Sequence, residues 1–105
     1  MSRLAHQVFF KLKNRDDASV ESLVNACQKY LTGHDGTLDF SVGVREPRYD
    51  RPVNADYDVA LHVVFVDQAA HDAYQVAPRH LEFFEQQKPN WDVVQVFDSN
   101  LRDDA

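Results

Sequence analysis

Two spacings of apolar residues alternate along the chain. Between Leu4 and Leu12 the spacing is two: Leu4, His6, Val8, Phe10 and Leu12 fall on one face, with Ala5, Gln7, Phe9 and Lys11 on the other, which predicts a strand. From Ala18 to Leu31 the spacing becomes helical through Val20, Leu23, Val24, Cys27, Tyr30 and Leu31. Asp16 and Asp17 suit the N-terminus of that helix and Gly33 its C-terminus. The turn GHDG leads into a second strand, Leu38 to Arg45, followed by a polar loop containing Pro47 and Pro52. YDVALHVVFV, residues 57–66, predicts a third strand. Its apolar face is Tyr57, Val59, Leu61, Val63 and Phe65, and its mixed face Asp58, Ala60, His62, Val64 and Val66. Helical spacing returns over residues 67–76 through Ala70, Ala73, Tyr74 and Ala77, and a shorter helix is expected from Pro78 to Gln87. Trp91 to Asp98 reads as a fourth strand.

The order βαββαβ predicts an α+β, ferredoxin-like fold. Right-handed crossovers put the helices on one face of a four-stranded antiparallel sheet. The other face, with Phe9, Ala60, Val64, Val66 and His62, stays bare. An apolar patch of that kind is seldom left open by a monomer, so a two-fold homodimer packed sheet to sheet is expected. A chain of 105 residues suits one domain, taken as residues 1–98 with a polar tail over 99–105.

The net charge of −6 argues against nucleic acid as a partner. Arg45, Arg48 and Arg51 recur every three residues, but Glu46, Asp50 and Asp56 lie among them and favour a solvated loop. No apolar run approaches a membrane span, and the N-terminus alternates too much for a signal peptide. The lone Cys27 cannot form an intramolecular disulfide and suggests a reducing, cytoplasmic setting.

AHQVFFKLK, FSVG (40–43), YDVALHVVFVD (57–67), AYQVAPRH (73–80) and VVQVFD (93–98) together resemble the Dabb family, the stress-responsive dimeric A/B barrel domain. The resemblance spans nearly the whole chain. It implies a dimer whose two sheets form a barrel, and many members are described only as stress-associated. One branch, the plant polyketide cyclases, closes a ring by aldol-type chemistry in a pocket between helices and sheet. By position it implies Tyr74 and His80 as catalytic residues and His6 as a pocket residue, with Cys27 or Tyr30 near a first-helix tyrosine of that branch. Leu61 and Phe84 are further expected ligand contacts. Ala77 stands where the cyclase branch can carry a histidine before the proline.

On one straight helix, six residues turn through about 600°, which would part Tyr74 from His80. Pro78 disfavours α-helix at Ala77 and suits the first turn of a new helix, so a bend can aim both rings into one cavity. There a neutral imidazole can take a proton and a phenol can stabilise an oxyanion. The competing reading ties His80 to a backbone carbonyl and leaves Tyr74 as core. A third draws on cofactor-free monooxygenases of the same architecture. His6 is pocket lining or a satisfied core histidine, and Cys27 a small core residue. Leu81, Phe83 and Phe84 are candidate cavity walls, His34 is placed in a turn, and His71 is placed opposite Ala70 and Tyr74. Asp58 and His62, about 13 Å apart on one strand face, cannot share an ion. With no compact His/Cys/carboxylate spacing, no dedicated metal site and no cofactor are expected.

Overall fold

The computed structural model describes residues 2–48 and 54–102. Strands β1 (Leu4–Leu12), β2 (Thr37–Val44), β3 (Val59–Phe65) and β4 (Trp91–Asn100) form one sheet in the order β2-β3-β1-β4, with every pairing antiparallel. Helices α1 (Asp17–Tyr30), α2 (Gln68–Val76) and α3 (Pro78–Gln87) complete the ferredoxin-like βαββαβ order, with one crossover helix broken in two. Each start has a local cause. The Asp16 carboxylate accepts from Ser19 N–H and the Asp67 carboxylate from Ala70 N–H, both at 2.8 Å. Such caps are worth about 1 kcal/mol each. Gly36 sits at φ +80°, and a Cβ there would lie 2.5 Å from the Ala70 side chain. Only glycine lets α2 come this close to the turn before β2.

The core lies between helices and sheet. Leu23, Cys27 and Leu31 pack on Phe10, Leu12, Val59, Val63 and Phe65, each large side chain contributing about 2 kcal/mol through burial. The register follows the predicted alternation: His6, Val8 and Phe10 pair with Val63, Leu61 and Val59 on one side and with Asp98, Val96 and Val94 on the other.

Two expectations need correction. Tyr57 does not share the core face of Val59. The chain bends at Asp58, and the Tyr57 ring meets Phe9 edge-on at 5.1 Å on the helix-free face. Asp58 turns inward instead, where its buried carboxylate accepts from Leu12 N–H at 2.9 Å and Arg15 Nε at 3.1 Å. The polar tail also begins later than expected. Ser99 and Asn100 pair with Ala5 and Leu4, and Leu101 N–H donates to the Arg3 carbonyl. Of the arginine triplet, Arg48 clasps Glu46 through Nε and Nη2, at 2.6 and 2.8 Å. Arg51, Asp50 and Pro52 lie outside the described residues. Among the described residues, no helix is long and apolar enough to cross a membrane.

Candidate functional site

α2 ends at Val76, Ala77 takes an extended conformation (φ −64°, ψ 143°), and Pro78 opens α3. Proline supplies no N–H, which a first helical turn does not need, and it holds the residue before it out of the helix. The bend brings Tyr74 and His80 edge to face, ring centres 4.7 Å apart. Both line a cavity of about 300 Å³ between α2, α3 and the β1–β4 side of the sheet. Val8, Phe10 and Leu61 form part of its lining from the sheet, and Phe83, Phe84 and Trp91 add aromatic walls. Val94 and Val96 line it from the edge strand while remaining 36 % and 51 % exposed, so the cavity opens along β4.

Of the expected site residues, Tyr74, His80, His6, Leu61 and Phe84 are brought together here. Cys27 and Tyr30 are not. Cys27 is fully buried in the α1 stripe, and burial pushes its thiol up to about 12, leaving it an inert core residue. Tyr30 points its hydroxyl toward α3, accepting from Gln86 Nε2 at 3.1 Å and reaching Glu82 at 3.4 Å. Leu81 is exposed and does not line the cavity.

His71 is a correction of the opposite kind. It lines the cavity, its ring 4.9 Å from that of His6. Its spacing of three from Tyr74 places the two on one helix face, a signal present in the sequence and assigned to the wrong side. Asp98 was missed too: it accepts from His6 Nδ1 at 2.6 Å, from a position 92 residues away in sequence. His34, in its turn as expected, donates Nε2–H to the Tyr30 carbonyl at 2.7 Å, and its ring stands edge-on to Tyr74 at 5.0 Å.

Burial sets the protonation of the site. It pushes His80 down to about 4, helped by the imidazoles of His6, His34 and His71, so His80 is neutral at pH 7. Burial lowers His6 despite the opposing pull of Asp98. It raises Tyr74, with the Cys27 thiol adding to the shift, so the phenol keeps its proton. Among the described residues, four buried side-chain polar atoms lack a hydrogen-bond partner. Three of them, Tyr74 Oη, His80 Nδ1 and Trp91 Nε1, belong to cavity-lining residues; the fourth is Thr37 Oγ1. Buried polar groups are normally paired, so this clustering marks the cavity as a place for a polar-tipped guest. The Trp91 donor was not anticipated, because its place at the start of β4 reads as plain core.

A family model described as "Stress responsive A/B Barrel Domain" (Dabb) matches residues 4–101. No curated protein matches the chain. Among solved structures, a Dabb-family protein with a ferredoxin-like fold from Mesorhizobium loti is 23 % identical, with a TM-score of 0.78 over 97 % of this chain and 99 % of that one. A dimeric ferredoxin-like protein of unknown function from Thermobifida fusca is 17 % identical, TM-score 0.78, over 95 % and 92 % of the two chains. The hydroxynitrile lyase of Passiflora edulis is 14 % identical, TM-score 0.79, over 97 % and 95 %. These likenesses establish the fold.

Proposed function

We propose, starting from the fact that the chain belongs to the Dabb family of stress-responsive A/B barrel domains, that it is a cytoplasmic homodimer holding a small, largely apolar or aromatic carbonyl compound between helices and sheet. The observation that carries this reading is that three buried polar atoms without partners, Tyr74 Oη, His80 Nδ1 and Trp91 Nε1, belong to residues lining one mainly apolar cavity. A carbonyl oxygen entering there would accept from the phenol. The neutral His80 imidazole is placed to take a proton from the adjacent carbon. It is a weak base while the cavity is dry, and negative charge developing on an enolate beside it would raise its affinity for the proton. The lack of a partner on the buried Nδ1 of His80 supports the ligand reading over the structural tie.

The dimer is supported by the sheet itself. β4 is an edge strand with apolar exposure on both faces, Val93 and Phe97 on the helix-free side and Val94 and Val96 on the other. Phe97 is 51 % exposed beside Phe9, and a second copy would cover them. A thermal-shift screen with aromatic and polyketide-like compounds tests the binding reading. A ligand-dependent rise in melting temperature is expected in the parent. It should vanish in His80→Ala, which should stay folded and dimeric by size-exclusion chromatography. Unfolding of His80→Ala, with no ligand effect in the parent, would assign His80 to the structure.

A further inference from the structure

The cavity wall holds a second constellation that the acid–base reading does not use. His6 of β1, His71 of α2 and Asp98 of β4 each offer one ligand-type atom, and the three atoms lie within 4.8 Å of one another. We propose that these three side chains bind one divalent transition-metal ion of the zinc class.

The donor set of two imidazoles and one carboxylate suits such an ion. The orientation of His71 is that of a ligand. Its Nδ1 faces the Asp72 carboxylate at 3.1 Å and so carries the proton, which leaves a lone pair on Nε2. At present Nε2 accepts from the amide of Gln75, a half-buried cavity residue, at 3.2 Å, a single contact that a bound ion would replace. His6 is buried on β1, with its ring held against that of His71 at 4.9 Å. Asp98 is half open to solvent and free to re-aim from its hydrogen bond with His6.

Ligand atoms around a tetrahedral ion stand roughly 3.4 Å apart for bonds of about 2.1 Å. The His6–Asp98 contact of 2.6 Å must therefore open slightly, with the His6 proton passing from Nδ1 to Nε2 so that Nδ1 can bind the ion, and the widest separation, at most 4.8 Å, must close by about 1 Å. Side-chain rotation covers both changes. Three protein ligands leave a tetrahedral ion one position for water or for a molecule in the cavity. Because the ligands come from β1, α2 and β4, a bound ion would also tie α2 to the open edge of the sheet.

The test uses the full chain, stripped with a chelator and titrated with Zn²⁺ by calorimetry and with Co²⁺ by visible absorption. Expected are one ion per chain, the intense Co²⁺ bands of a tetrahedral site, and a higher melting temperature with metal. His71→Ala and Asp98→Asn should each weaken binding at least tenfold. Asp72→Ala, which removes only the carboxylate that orients His71, should weaken it about tenfold. That variant leaves the cavity untouched and keeps the test valid should His71→Ala misfold. His62→Ala, on the helix-free face, and His80→Ala should both bind as the parent does, separating this site from the acid–base pair. The proposal is overturned by a parent that takes up no stoichiometric ion, by undiminished binding in Asp72→Ala and Asp98→Asn, or by loss of binding in His62→Ala.

Discussion

The part of the core under α1 and the part under α2 and α3 rest on the same sheet and are finished differently. α1 is an uninterrupted helix whose stripe of Leu23, Ala26, Cys27 and Tyr30 is buried. Tyr30 at its last turn meets Gln86 and Glu82, and beside its first turn Asp58 holds Leu12 N–H and Arg15. α2 and α3 are shorter and meet at a bend, and each buries little beyond Tyr74 in the first and Phe83 and Gln87 in the second. Under them remain a cavity and three unpaired polar tips. A protein interior is normally close-packed and its polar groups satisfied. Both rules lapse together at this cavity, and it is there that the proposed site lies.

Three experiments press on this contrast. Leu23→Ala, at a position with no exposed surface, should cost about 2–5 kcal/mol in urea unfolding, as expected for a truncated leucine in a filled core. A loss below about 1 kcal/mol would mean that the α1 side is as loosely packed as the other. Tyr74→Phe retains the ring packing on Phe65 and His34 but deletes the unpaired hydroxyl. Stability should hold or rise by about 1 kcal/mol, while any ligand-induced thermal shift falls. Marked destabilisation instead would reveal a structural partner for the hydroxyl.

The smallest effect is the dependence on pH. Unfolded His80 takes up a proton near 6.5 and folded His80 only near 4. Between those values the unfolded chain binds more protons. The contribution is therefore fully present above pH 6.5 and is lost as pH falls toward 4. His6, also lowered, acts in the same direction. Melting temperatures measured from pH 7 to 5 should fall less steeply in His80→Gln than in the parent. Equal slopes would show that His80 titrates normally and is not held in a desolvated pocket.

The bend at Pro78 was legible because proline acts locally: it constrains its own φ, lacks an N–H and restricts the residue before it. The expected bend at Ala77 is borne out by its extended backbone, and the rings of Tyr74 and His80 meet across it at 4.7 Å. Tyr57 was misplaced because alternation assumes an unbroken strand, whereas the ion pair of Asp58 with Arg15 turns the chain just before β3. Cys27 and Tyr30 were drawn toward the pocket by their position on α1, but a helix stripe is wide enough to feed both the filled core and the face toward α3.

Strand alternation, helix caps and the glycine and proline punctuation determined the order of elements, the helix-covered face and the break that makes two helices of one crossover. These are properties of neighbouring residues, and they survive without knowledge of the rest of the chain. Which side chains meet across the cavity was decided only in three dimensions. His6, His71 and Asp98 come from three elements, and Trp91 lies beside Phe10 only through the pairing of β4 with β1. Packing sums contacts over residues far apart in sequence, so a hollow, and the polar tips left unpaired within it, exist only once every surrounding element is in place.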